Sequence, residues 1–167
     1  IIAHHRRGGS VLGLCGGYQM LGQTINDPHG IEGITKSIQG LGLLEVDTVL
    51  DHHKTVCRTD AVVMGSEIPV SGYEIHMGVS KGVATERPFL SINGVGEGAT
   101  SKDGRVIGSY CHGLFSSDAF RAYFLTDFGV LADSFHYNGQ VDAVLDQLAD
   151  HMDRHLDLAM IGKIAGL

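Results

Sequence analysis

No apolar run in the sequence reaches the length a helix needs to cross a bilayer, and no N-terminal stretch has the pattern of a signal peptide. Basic charge is scarce. Twelve Lys and Arg against nineteen Asp and Glu leave a net charge of −7, so the electrostatic footprint of a nucleic-acid binder is not expected. The three cysteines, Cys15, Cys57 and Cys111, are too few and too scattered for a disulfide framework, which points to a reducing, cytoplasmic setting. P-loop, internal repeats and low-complexity tracts are all missing. The chain also begins at Ile1 without an initiator Met. Its first strand arrives almost at once, whereas a parallel sheet needs neighbours on both sides of a central strand. The expectation is a partial domain over residues 1–167, with N-terminal strands of the fold upstream of Ile1.

What is there suits a single α/β domain. The 167 residues can bury a real core, and 43% hydrophobic with 19% charged content is ordinary for a globular protein. The informative stretch is Val11 to Gly22, VLGLCGGYQMLG. Val11 to Cys15 reads as a buried strand, and a short helix follows from Gly16. Gly13, Cys15 and Gly17 form G-x-C-x-G at the turn between them. Such a strand-to-helix turn is sharp, and it pushes the apical side chain out toward whatever binds above the sheet. A Cys in an apolar run is usually a small core residue. Glycines on both sides, followed by the polar Tyr18 and Gln19, favour a nucleophile instead. The helix N-terminus beyond it favours a thiolate, and the Gly16 N–H is placed to bind an oxyanion.

Elsewhere the pattern is of short strands with two closing helices. Arg6, Arg7 and Gly8 suit a helix end, and the neighbouring His4 and His5 point apart as surface residues. Residues 24–40 read as loop, Leu41 to Leu50 and Thr55 to Met64 as separate strands, and Pro88 to Asn93 as a short one. Ser71 to Val79 alternates Tyr73, Ile75 and Met77 against a polar face of Glu74 and His76. Glu97 to Tyr110 reads as a hairpin turning at Asp103-Gly104, a type I′ dipeptide. Ser116 or Ser117 caps a helix running to about Phe128. A second helix starts near Gly139, with Val141, Val144, Leu145, Leu148, Met152, Leu156 and Ala159 on an apolar stripe. On it His151 and His155, at i and i+4, read as a solvated face, and no metal site is expected.

A thiol nucleophile needs a base. Of ten histidines, the best placed is His112 in GSYCHGLF, at the end of a strand-like run and just before a glycine and a helix start. The runner-up is His76 in GYEIHMG, which shares a strand face with Glu74. The face of Glu74 and His76 could line a substrate pocket, or equally be a solvent face or a domain contact.

The segments GLCGGYQMLG, GYEIHMG and YCHGLF, in this order, resemble the class I glutamine amidotransferase domain of the cobyric acid synthase type. LGLLEVDTVL and DQLADHMDRHLDL extend the likeness over nearly the whole chain. The resemblance implies a flavodoxin-like glutaminase domain with a largely parallel central sheet, joined to an upstream ATP-dependent synthetase domain. Cys15 would attack the glutamine side-chain amide, and His112 would act as acid and base. Gln19, with Gly16, Glu74 and His76, would bind substrate. The ammonia would serve ATP- and Mg²⁺-dependent amidation of adenosylcobyrinic acid a,c-diamide to cobyric acid in cobalamin biosynthesis, with no cofactor in the glutaminase domain itself. Alternatives are a glutaminase for another acceptor (cobyrinate a,c-diamide synthesis or a peptidoglycan precursor), a non-catalytic domain of this fold, and a Cys peptidase or esterase. In one respect the chain departs from the wider class: a Glu usually stands two residues after the catalytic His, and here that position is Leu114. What orients His112 is open.

Overall fold

The computed structural model describes residues 1–34, 36–126, 128–130 and 136–166. A one-turn helix α1 (Ile2–Arg6) leads through Gly8, at φ +90°, into strand β1 (Val11–Leu14) and helix α2 (Gly16–Leu21). Then come β2 (Thr24–Asn26), β3 (Ser37–Gln39), the long β4 (Asp47–Val63) and β5 (Pro69–Lys81). A 3₁₀ turn at Val83–Glu86 precedes β6 (Leu90–Ile92), β7 (Val95–Glu97), β8 (Ala99–Thr100), β9 (Val106–Ser109) and β10 (Cys111–His112). After a second 3₁₀ turn, α3 (Asp118–Thr126), α4 (Tyr137–His155) and α5 (Leu158–Ala165) close the chain.

Two mixed sheets result, in an α/β arrangement. One has the order β1-β9-β8, and the other runs β10-β5-β4-β2-β3 with β6 and β7 appended. Parallel pairing among the described residues is confined to β1 with β9 and β2 with β4. The chain passes from the first sheet to the second at Tyr110, between Ser109 of β9 and Cys111 of β10. One core cluster packs Tyr18 and Leu21 of α2 against Val46, Val106 and Tyr110. The other packs Ala61, Val63, Val70, Cys111 and Leu114 against Phe120 of α3.

Several expectations change. Residues 24–40 are not all loop: β2 and β3 form an antiparallel pair there, too short for a periodicity to register. The two strands expected across residues 41–64 are one, β4, interrupted by a bulge. Between Val49 and Lys54, β4 advances five residues while β5 advances two. Three extra residues are an odd number, so the bulge reverses which parity faces inward. Thr48 and Leu50 are buried before it, and Thr59, Ala61 and Val63 after it.

The burial sense of β5 is also the reverse of the hydrophobic pattern. Val70 and Gly78 lie inward with Gly72, Glu74 and His76 between them, while Tyr73 and Ile75 are on the outer face, 47% and 38% exposed. The polar face is covered because Tyr110 and Cys111 pack against it. At Asp103-Gly104 the hairpin forms, but only Gly104 has positive φ, so the turn is not type I′. The I′ geometry occurs instead at Asn93-Gly94, at φ +52° and +81°, between β6 and β7.

Ser117 caps α3 by accepting from the Phe120 N–H, and α3 ends at Thr126. The second helix begins at Tyr137 and breaks after His155, where Asp157 caps α5 through the Met160 N–H. No described residue of α4 is buried, so its apolar stripe faces solvent. Among the described residues, no helix is long and apolar enough to cross a membrane.

Candidate active site

Cys15 occupies the junction of β1 and α2 with φ +52° and ψ −116°. That conformation lies outside the regions open to L-residues, and it is held by the ladder on one side and the helix on the other. The Cys15 N–H donates to Ser109 O at 2.8 Å, and its carbonyl accepts the Gln19 N–H. Gly13 is required by close packing: a Cβ there would stand 2.4 Å from Leu21 Cδ1 and 2.7 Å from the Gly17 carbonyl oxygen. Above Gly16 and Gly17 the opposite holds, since a Cβ on either meets nothing within 4 Å. The first N–H groups of α2 have no partner within the helix.

The thiol opens onto a cavity of about 800 Å³ lined by Cys15, Gly16, Gln19, Ile75, His76 and Met77 together with residues of the 25–38 segment. Cys15 Sγ is 3.3 Å from the Ile75 carbonyl oxygen, to which it can donate. Gln19 Nε2 donates to Met77 O at 3.1 Å and to the Tyr110 hydroxyl at 3.3 Å. With its amide hydrogens so used, the Gln19 side-chain oxygen is the group left to meet a ligand. The Tyr110 hydroxyl is also 2.7 Å from Ser80 Oγ, itself 2.7 Å from Thr48 Oγ1, so a buried polar chain fixes Gln19. His76 stacks on the Tyr110 ring at 3.8 Å, with Nδ1 3.2 Å from Gly78 O.

The other two cysteines differ from Cys15. Cys111 is fully buried, and burial pushes its thiol up to about 12. Cys57 is exposed on β4, with Sγ 3.5 Å from Glu74 Oε2.

Of the residues singled out in the sequence, Cys15, Gly16, Gln19 and His76 meet around the cavity, whereas Glu74 and His112 are not among its lining residues. Glu74 pairs with Cys57 and Cys111 across the inner face of β4, β5 and β10. His112 pairs with Tyr73 on the outer face, the two rings stacked 5.1 Å apart and 5° from parallel. Its Nε2 is buried with no hydrogen-bond partner among the described residues. Tyr73 and Ile75, two residues apart on β5, thus carry the His112 ring and the Cys15 thiol contact, about 7 Å apart along the strand.

Sequence reasoning missed two features. Asp27, Glu32 and Lys54 bring charge of both signs to the cavity. Asp27 accepts the Ile31 and Glu32 N–H groups at 2.8 Å each, which holds its carboxyl below the usual carboxylate range. The dipeptide Asp27-Pro28 was the available signal, a turn starter. Glu97 was the other omission. Its carboxylate accepts from Ser109 Oγ and Tyr110 N at 2.7 Å each, at the crossing between the sheets. Burial raises its carboxyl to about 7, assisted by the nearby Glu74, against the two hydrogen bonds. No sequence signal marks it, because its partners are more than ten residues away. Among the described residues, no cluster of three or more His, Cys, Asp or Glu could hold a metal ion.

Residues 1–120 match the family of CobB/CobQ-like glutamine amidotransferase domains. The chain is 53% identical over 165 residues to a cobyric acid synthase of Ruegeria sp. (strain TM1040), covering 99% of this chain and 34% of that protein. It is 52% identical over 159 residues to a cobyric acid synthase of Cereibacter sphaeroides (strain ATCC 17025 / ATH 2.4.3), covering 95% and 33%. The chain therefore spans about a third of the length of these curated relatives. Among solved structures, a glutamine amidotransferase aligns with TM-score 0.51 at 19% identity, over 77% of this chain and 66% of that one. PurLQS from Thermotoga maritima aligns with TM-score 0.54 at 14% identity, over 76% and 66%. At these identities the structural likeness carries the fold alone.

Proposed function

The chain belongs to the CobB/CobQ-like glutamine amidotransferase domain family, and on that premise we propose that it is the glutaminase part of a cobyric acid synthase. In this reading it hydrolyses glutamine and passes ammonia to a synthetase domain of the same protein. There, carboxylates of adenosylcobyrinic acid a,c-diamide would be amidated in a step for which ATP, with Mg²⁺, would supply the activation. The observation that carries the glutaminase half is the positive φ of Cys15, which aims a thiol into an open cavity from a strand-to-helix turn.

The chemistry follows from the residues. His112 takes the Cys15 proton, and the thiolate adds to the side-chain amide carbon of glutamine. The resulting oxyanion meets the Gly16 N–H, and the Gln19 side-chain oxygen is available to the substrate. His112 returns its proton to the departing nitrogen as the C–N bond breaks, releasing ammonia and leaving a γ-glutamyl thioester on Cys15. Water, deprotonated by His112, then cleaves the thioester to glutamate and the free thiol. Asp27, Glu32 and Lys54 offer charges of both signs for the α-ammonium and α-carboxylate of glutamine.

One observation favours a second assignment of the base: His76 lines the cavity with Cys15, and His112 does not. The test is inactivation of the complete enzyme by a diazo-ketone glutamine analogue, with the modified residue mapped by mass spectrometry, in wild type, His112→Ala and His76→Ala. The proposal expects the label on Cys15, with labelling and glutaminase turnover lost in His112→Ala, whereas His76→Ala raises KM for glutamine but is still labelled and turns over at saturating glutamine. Loss in His76→Ala alone would move the base to His76. A label on any other residue would remove Cys15 as nucleophile.

A further inference from the structure

Two residues after His112 stands Leu114, fully buried in the core. An aliphatic side chain cannot hydrogen-bond an imidazole, so something else must fix the ring. Two carboxylates lie near enough in the fold to be considered. Glu74 is one residue along β5 from the partner of His112, and successive strand residues point to opposite faces. It therefore lies on the inner face between Cys57 and Cys111. Glu97 is committed to Ser109 Oγ and Tyr110 N, behind the crossing that delivers β10. Among the described residues, no carboxylate bonds the His112 ring.

One contact does face it. Tyr73 and His112 are direct register partners on β5 and β10, and their rings lie 5.1 Å apart and 5° from parallel. Tyr73 is in turn paired with Arg58 on β4, so its backbone is fixed from both sides by the central ladder. Gly72, the preceding residue, has no room for a Cβ because one would stand 2.0 Å from the His112 carbonyl oxygen, which keeps β10 tight against β5. Tyr73 itself is half-exposed and belongs to neither core cluster. A large aromatic left half-exposed, with its ring flat on an imidazole whose buried Nε2 has no hydrogen-bond partner among the described residues, is placed to do more than fill space.

We infer that Tyr73 is the positioning residue for His112: the flat phenol face, rather than a hydrogen-bonded carboxylate, sets the plane of the imidazole in which its Nε2 lies. The inference rests on His112 being the acid and base. Stacking permits the ring to slide and to turn within its own plane but resists tilting out of it. The hydroxyl has no part in this, since the contact is between ring faces. Tyr73→Phe therefore preserves the device, and Tyr73→Ala or Tyr73→Leu removes it.

The test uses the complete enzyme with ATP and the corrinoid acceptor, and measures glutamate release in wild type, Tyr73→Phe, Tyr73→Leu, Tyr73→Ala and His112→Ala. Tyr73→Phe should keep kcat within about threefold, while the Leu and Ala variants should lose roughly 10- to 100-fold in kcat with KM for glutamine nearly unchanged. In NMR spectra, the His112 ring protons should carry an upfield ring-current shift in wild type and Tyr73→Phe, and lose it in Tyr73→Ala. Wild-type kcat in Tyr73→Ala, equal loss in Tyr73→Phe, or His112 signals indifferent to residue 73 would each overturn the inference. If Tyr73→Ala is active while His112→Ala is dead, only the positioning role fails. Full activity in His112→Ala would sink the assignment beneath it.

Discussion

The thiol of Cys15 meets the carbonyl oxygen of Ile75 at 3.3 Å, a contact that joins the strand-to-helix turn of one sheet to the central hairpin of the other. Everything assigned to the site hangs on that junction. Gln19 reaches Met77 two residues farther along β5, and the His112 ring rests on Tyr73 two residues back.

The backbone of Cys15 predicts an inverted stability ranking. Glycine ordinarily costs a protein about 0.5–1 kcal/mol relative to alanine. At φ +52° and ψ −116° the order should reverse, with Cys15→Gly more stable than Cys15→Ala by roughly 1–2 kcal/mol. Urea unfolding of both variants, with equal m-values, reads this directly. An Ala variant as stable as the Gly variant would mean the turn is not strained.

Gly13→Ala should be destabilising even though alanine is ordinarily the better tolerated of the two within a strand. Its Cβ would press on Leu21 and on the Gly17 carbonyl, pushing α2 away from β1. Overpacking of this kind costs about 1–3 kcal/mol. Glutaminase activity should fall with it, because the same displacement moves Cys15. Unchanged stability and activity would show that α2 does not need that close approach.

Glu97 predicts a pH dependence. Its carboxyl titrates near 7 in the folded protein, above its ordinary value of 4.5, because burial disfavours the anion. The folded state therefore binds this proton more tightly than the unfolded one. The associated stability is fully present below pH 4.5 and is lost as pH rises through 7. The loss is at most about 3 kcal/mol. Glu97→Gln removes the titration. Urea midpoints measured at pH 5, 7 and 8 should diverge, with the variant gaining on wild type as pH rises. Parallel curves would show that Glu97 is not held protonated.

Much of this was legible in the sequence because the signals are local. The Gly13–Cys15–Gly17 spacing marked the turn, and Ser117 marked the start of α3. Which face of β5 is buried is not legible in the strand itself, because Tyr73, Ile75 and Met77 are the more apolar set and yet Tyr73 and Ile75 lie on the outer face. Burial there is decided by Tyr110 and Cys111, which arrive from thirty-odd residues away. The bulge after Val49 could not be seen, since it is a property of pairing between β4 and β5 rather than of either strand. Glu97 and the stack of Tyr73 on His112 are long-range for the same reason.

Glutamate release from glutamine by the complete enzyme, wild type against Cys15→Ala, tests the account most directly. Wild type should hydrolyse glutamine. Cys15→Ala should not, while still amidating the corrinoid acceptor when ammonia is supplied with ATP. A Cys15→Ala enzyme that releases glutamate as fast as wild type would contradict it, and Cys15 would then be a strained thiol without a chemical role.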